Sequence, residues 1–206
     1  MAITQKLSTV KIIMHPDSSP KLTSFNVMSE FQHLSVEELR EIAKSRQLPY
    51  AVALANITGD LNTGVMIRSA CVLGAQRVFI FGKKKYDRRS TVGAHNYIEL
   101  MHFESHTETE PFNWNESLQI IRVNGYTPVL IEQGGAPLFD FTPSQSAGPV
   151  CLVFGAEDSG IPRDVCESEL CYTIPQPGVL RSLNVSTAAS IAMWHTMMEL
   201  TRAVGV

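Results

Sequence analysis

Between residues 50 and 82 the chain carries one complete strand–helix–strand unit, which restricts the fold more than any other feature of the sequence. Residues 51–55 are a short apolar strand, and 56–62 a polar, glycine-containing turn. Residues 63–73 then have helical spacing and end at Gly74, a residue that tolerates the left-handed conformation found past helix ends. Residues 77–81, Arg-Val-Phe-Ile-Phe, return to strand character. A helix between two such strands implies parallel pairing and a right-handed crossover. Within the helix, Val65, Met66, Ser69, Ala70, Val72 and Leu73 are expected on one buried face. Arg68 falls roughly 40° outside Val72, at the rim of that arc.

The alternation continues to the carboxyl end. Strands are predicted at 98–102, 127–131, 150–154 and 171–174, and helices at 115–124, 162–169 and 185–203. The fold class is therefore α/β, a mostly parallel sheet with helices on both faces. The 206 residues suit one domain with an appendage, residues 1–49 as a partly helical amino-terminal extension and 50–206 as the main domain. In the extension, Ser35 followed by Glu38 forms a capping box that opens a helix to about Arg46.

Composition narrows the function classes. Hydrophobic residues make up 44% and charged residues 18%, ample for a core. No run approaches membrane-spanning length, and the first residues lack a long apolar core. A soluble, cytoplasmic protein is expected. Cys71 and Cys151 lie in apolar runs and no C-x-x-C pair occurs among the four cysteines, so reduced thiols and no metal are expected. The net charge of −3 opposes indiscriminate nucleic-acid binding. Local charge differs: residues 83–89 hold five cations in seven positions. That run is either a solvated loop or a contact for an RNA backbone.

Three loops carry polar chemistry. The first, Asn62-Thr63-Gly64 with Arg68 after it, offers a helix cap, a close backbone approach and a cation. The second follows a strand and reads Gly155-Ala156-Glu157-Asp158-Ser159-Gly160-Ile161-Pro162. Its glycines resemble the start of a phosphate loop, but Ile161 and Pro162 stand where Lys and Ser/Thr are needed. Its two carboxylates would repel phosphate and suit hydroxyls or a cation. Pro162 fits the first position of a helix. The third, residues 174–186, opens with Pro175, Pro177 and Gly178 and delivers Arg181, Ser182 and Asn184 to a helix start. Unpaired N–H groups there can bind a ligand. All three follow strands, and the carboxyl ends of parallel strands are where open α/β sheets bind ligands.

In this order the loops resemble the three motifs of the SpoU/TrmH family of RNA 2′-O-ribose methyltransferases, in the SPOUT superfamily. The matches are Asn62-x-Gly64-x-x-x-Arg68, Gly155-x-Glu157-x-x-Gly160, and Ile174-Pro175 with Gly178 and Ser182-Leu183-Asn184-Val185-Ser186. The resemblance runs from about residue 50 to the end, and the third motif is most similar to that of enzymes modifying a tRNA guanosine. It implies S-adenosylmethionine as donor, a carboxyl-terminal trefoil knot and a homodimer whose site uses both subunits. Arg68 becomes the catalytic residue with Asn62 beside it, while Glu157, Ser182 and Asn184 shape the site. Ile131, Glu132, Gly155, Gly160, Ile174, Gly178, Ser182 and Leu183 would hold the donor. Lys84, Lys85, Arg88, Arg89 and Arg181 would contact RNA, tRNA in preference to rRNA.

Two roles for Arg68 remain open on sequence alone: a general base, or a cation that stabilises the developing alkoxide or grips a phosphate. A non-catalytic RNA-binding module of the same fold and a nucleotide-hydrolysing α/β protein are the competing classes. The missing phosphate-loop lysine weakens the latter.

Overall fold

Successive strand residues face opposite sides of a sheet, and that alternation builds two cores here. In β1 (Tyr50–Ala55), Tyr50, Val52 and Leu54 enter one core, and Ala51 and Ala53 the other. The computed structural model describes residues 26–55, 57, 59–82, 86–103, 112–203 and 205. β1 is joined by β2 (Arg77–Phe81), β3 (Glu99–Phe103), β4 (Thr127–Pro137), β5 (Val150–Phe154) and β6 (Leu170–Thr173). Their order is β3-β2-β1-β5-β4-β6, with parallel pairing throughout.

Helices cover both faces. α2 (Asp60–Val72) and α6 (Val185–Ala203) bury Met66, Ile67, Ala70, Ala189, Ala192 and Met193 in the first core. α4 (Trp114–Val123) and α5 (Arg163–Ser168) close the second with Leu118, Ile121 and the partly buried Val165. Among the described residues no helix is long and apolar enough to cross a membrane. In the amino-terminal segment, α1 (Val36–Ser45) starts at the expected capping box: Ser35 Oγ accepts from Glu38 N, and Ser35 N donates to the Glu38 carboxylate. The segment is tied to the sheet domain by Leu48 N donating to Gly74 O at 2.7 Å and Arg40 Nε to Asn96 O at 2.9 Å.

Several boundaries depart from the sequence reading. α2 begins at Asp60 rather than Thr63, so Gly59 is the cap and Asn62 lies inside the first turn. Pro162 caps α5 instead of occupying its first position. The buried face of α2 is Thr63, Gly64, Met66, Ile67 and Ala70, whereas Val65 and Val72 are exposed. Periodicity located an apolar arc but could not tell a core-facing stripe from an outward one. β4 runs six residues past 131, because Ala136 and Pro137 pair again with β6 after a register break. The glycines at 134 and 135 conceal that second pairing in the sequence.

A short helix unmarked by any sequence signal, α3 (Arg88–Thr91), packs on α2 and ends at Val92 with φ 48°. A β-branched residue is an outlier in that region, at a cost of about 1–2 kcal/mol. Glycine removes this strain but loses about 0.5–1 kcal/mol more chain entropy on folding. Val92→Gly should therefore stabilise the protein by about 0.5–1 kcal/mol, read as a melting temperature raised by about 2 °C. A lower melting temperature would contradict this account.

Candidate functional site

The strand order turns around between β1 and β5, since β2 lies on one side of β1 while β5 and β4 lie on the other. Open α/β sheets bind ligands outside the carboxyl ends of strands at such a point. β1 and β5 end side by side there, Leu54 in register with Phe154. The segments leaving them are the first and second motifs.

A hydrogen-bond chain joins all three motifs at this place. Glu157 Oε1 accepts from Gly59 N at 3.1 Å and from Asn62 Nδ2 at 3.0 Å. Asn62 Oδ1 accepts from Asn184 Nδ2 at 3.2 Å. Asn184 Oδ1 in turn accepts from Ser186 N at 2.9 Å and Ser186 Oγ at 2.6 Å, so it caps α6. Each amide uses its two ends toward different motifs, which fixes the orientation of both side chains. A Cβ at Gly59 would lie 2.8 Å from Glu157 Oε1 and 2.9 Å from Asn62 Nδ2, so a larger residue there would push both side-chain ends out of their present positions. The sequence reading missed Gly59, although its place three residues before Asn62 in a polar turn is a usable signal.

The glycines of the second motif serve its own closure. A Cβ on Gly155 would meet Gly160 C at 2.5 Å. Gly160 has φ 62° and lies against Glu132, whose Oε2 would be 2.6 Å from an added Cβ. Glu132 Oε2 accepts from Ile161 N at 2.8 Å and its Oε1 from Gln133 N at 2.8 Å. The carboxylate thus ties the end of the first run of β4 to the second motif.

The third motif is open. Every residue from 175 to 184 is exposed, while Ile174 is partly buried against the first core. Among the described residues, no backbone N–H from 176 to 183 donates to another backbone carbonyl. Gln133 Nε2 donates to Arg181 O at 2.6 Å and holds the loop to β4. No sequence signal marks Gln133 for this role. Open space surrounds the position a Cβ would take on Gly178.

Arg68 stands apart from the network. It is exposed, six residues beyond Asn62 on α2, and no described residue forms a hydrogen bond or ion pair with its guanidinium. Leu61, Val65 and Val72 flank it along one exposed stripe of α2. α6 packs beside α2, with Ser69 Oγ and Ser190 Oγ 2.9 Å apart, and adds exposed Ile191 and Trp194. The cationic turn is also close to the first motif. Arg88 and Arg89 are exposed on α3, and Arg89 is paired with Asp87 at 2.9 Å. That pairing holds the Asp87 carboxyl below its usual range. Lys84 and Lys85 lie outside the described residues. Burial pushes the Cys71 thiol to about 11 and Cys166 to about 12, and raises buried Cys151 as well. None of these three supplies a thiolate near neutral pH.

The profile of the SpoU rRNA Methylase family matches residues 49–194. The chain belongs to the SpoU family. The 23S rRNA (guanosine-2′-O-)-methyltransferase RlmB of Haemophilus influenzae is 25% identical over 177 residues, 82% of this chain and 67% of that protein. The chain thus spans about two thirds of the length of this curated relative. The mouse tRNA (guanosine(18)-2′-O)-methyltransferase TARBP1 is 30% identical over 156 residues, 72% of this chain but 9% of that much longer protein. Among solved structures, the A. aeolicus TrmH/SpoU tRNA modifying enzyme superposes with a TM-score of 0.67 at 22% identity, covering 82% of this chain and 84% of the other. AviRb from Streptomyces viridochromogenes, in complex with AdoMet, gives a TM-score of 0.59 at 25% identity over 77% of this chain and 63% of its own. The matched span, residues 49–194, contains all three loops that the hydrogen-bond chain joins.

Proposed function

We propose that the loops beyond the ends of β1 and β5 enclose a hollow that places a ribose 2′-hydroxyl of tRNA against the methyl group of S-adenosylmethionine. Membership of the SpoU family makes the protein an RNA 2′-O-methyltransferase with S-adenosylmethionine as donor. The choice of tRNA over rRNA, the residue roles, the dimer and the knot are the parts proposed. The observation that carries the site is the Glu157–Asn62–Asn184 chain at the strand-order reversal. It brings the polar residues of three distant segments into one rigid group.

The residues present fit the donor. The N–H groups of 176 and 178–183, which donate to no backbone carbonyl of a described residue, are donors for its polar parts, and Ile131 and Ile174 give an apolar floor for the adenine. Gly155, Gly160, Gly178, Ser182 and Leu183 would line the same place, with Glu132 holding the second motif beside it. When bound, the donor supplies an activated methyl, which leaves alignment and proton handling to the chain. Asn62 and Asn184 orient the two loops that flank the reacting hydroxyl. Arginine keeps its charge in proteins, so Arg68 acts as a cation toward the developing alkoxide or the neighbouring phosphate.

In one protomer Arg68 lies on the apolar stripe of α2, not at the hydrogen-bond chain. A second copy seated on Leu61, Val65, Val72, Ile191 and Trp194 would cover that patch and bring Arg68 to its partner's hollow. The knot, with the third motif threaded through a preceding loop, is proposed from the family membership. An added Cβ on Gly135 would lie 2.6 Å from Cys171 C, so the chain at 132–135 wraps closely past β6. The division into an extension, 1–49, and a methyltransferase domain, 50–206, is supported by the family match beginning at residue 49.

Arg88, Arg89 and Arg181 are proposed to grip the RNA backbone, together with Lys84 and Lys85. Replacing Arg88 and Arg89 with alanine should lower the slope of log K against log salt by about 1–2, roughly one for each phosphate no longer neutralised. An unchanged slope would return the turn to a solvated loop. Methyl transfer from labelled donor to purified tRNA and rRNA pools, with the modified nucleotide mapped, decides the substrate. Label in rRNA alone would overturn the tRNA reading. No label in either RNA would favour a non-catalytic module.

A further inference from the structure

The element that approaches Gly64 most closely is the cationic turn. A Cβ on Gly64 would lie 1.6 Å from Ser90 Oγ, 2.8 Å from Ser90 Cβ and 2.9 Å from Asp87 O. Separations under 3.0 Å at backbone or at a short side chain force a shift of one element. α3 is therefore seated directly on the bare face of α2, two residues past Asn62.

The seat is stiff on both sides. Asp87 N donates to Asp60 O at 3.3 Å, which joins the turn to the first residue of α2. Ser90 Oγ donates to Asp87 O at 2.7 Å and is held in place by the turn it contacts. Thr91 is fully buried, its hydroxyl donating to Arg88 O at 2.8 Å and lying 2.6 Å from His95 Nδ1. The left-handed Val92 then folds the chain away, and its carbonyl accepts from Asn26 Nδ2 at 3.1 Å. A strained residue persists where the surroundings over-determine it.

We infer that Gly64 and Ser90 are positioning residues for the RNA: their contact sets the distance between the Arg88–Arg89 turn and the Asn62–Glu157–Asn184 group. The inference rests on the RNA-gripping role proposed above for that turn. The shared rigid element is α2. Its first turn carries Asn62 to Glu157, and its next residues receive α3. Phosphates held by the turn are thereby kept at a fixed reach from the hollow. Alanine at position 64 would lift the turn while leaving the second and third motifs, and with them donor binding, in place.

The test is a cycle of Gly64→Ala, Ser90→Gly and the double variant, with wild-type methyl transfer to RNA measured first as control. Gly64→Ala should raise KM for RNA about tenfold, a factor equal to about 1.4 kcal/mol. Its kcat should fall less than about twofold and its calorimetric Kd for S-adenosylmethionine should not move, as for loss of binding remote from the chemistry. Ser90→Gly removes the two nearest atoms, so the double variant should recover most of the missing RNA affinity, by kinetics and by fluorescence anisotropy with a labelled RNA stem. Such recovery is the coupling expected of residues in direct contact. An unchanged RNA KM in Gly64→Ala would overturn the inference. So would a parallel loss of donor affinity, or a double variant no better than Gly64→Ala. If Gly64→Ala does not fold, a folded double variant with near-wild-type RNA KM supports the steric seat, and an unfolded one overturns it. A wild-type protein that methylates no RNA fails the functional reading instead, a result visible before any variant is compared.

Discussion

Arg68→Ala is expected to lower kcat by about 10²–10³-fold, the range found when one donor to a developing oxyanion is removed. The Kd for S-adenosylmethionine should change by less than about twofold, because an interaction made only in the transition state leaves ground-state binding intact. Arg68 is exposed and forms no polar contact with a described residue, so the variant should melt at the wild-type temperature. A second arm tests where Arg68 acts. Inactive Arg68→Ala subunits mixed with inactive Asn184→Ala subunits should regain activity, since some mixed dimers would pair an intact arginine with an intact Asn184 group. Wild-type-like turnover in Arg68→Ala removes it as the catalytic group. Failure of the mixture to recover would place Arg68 and Asn184 in the same protomer's site.

Glu157→Ala should be nearly as costly, with an expected drop of about 100-fold in kcat at unchanged folding, the lower end of the same range. The carboxylate receives Gly59 N and Asn62 Nδ2, and its removal frees the amide that faces Asn184. Residues in one network couple, so adding Asn184→Ala to Glu157→Ala should cost much less than the two separate effects predict. Glu157→Gln keeps an acceptor at Oε1 and should recover most of the activity, as expected if position rather than charge matters. A Gln variant as inactive as Ala would instead assign a role to the negative charge. Additive effects in the Glu157→Ala/Asn184→Ala double would show that the chain of hydrogen bonds is not a working unit.

The two predictions separate chemistry from alignment. Arg68 is assigned to the reacting charge and Glu157 to the geometry around it. In the proposed site, Glu132 and Gln133 would serve alignment one layer further out. The first ties the second motif to the end of the first run of β4, and the second ties the third motif to the same strand. They stand at adjacent positions because adjacent residues of an extended chain face opposite ways, here toward two different loops.

Much of the architecture was legible in the residues. The strands at 77–81 and 150–154 and the helix at 185–203 match the structure residue for residue. Apolar runs bounded by Gly, Pro and polar turns leave little freedom there. The helix from Ser35 was legible through its capping box, a local motif that needs no tertiary partner. α3 was not legible, because a four-residue helix has no periodicity to detect and is held by its seat on α2. The second run of β4 was hidden for a related reason, since its partner, β6, is more than thirty residues away.

The amino-acid sequence alone determined the parallel α/β class, the three motifs and their family, because apolar period, turn chemistry and motif spacing are properties of neighbouring residues. Tertiary structure decided how those motifs meet. It joined Asn62 to Glu157 and Asn184, turned Val65 and Val72 outward with Arg68, and set Ser90 against Gly64. These pairings span 26 to 122 residues of chain. Their partners are chosen by strand order and by which helix face the sheet covers, and neither is written in any local stretch.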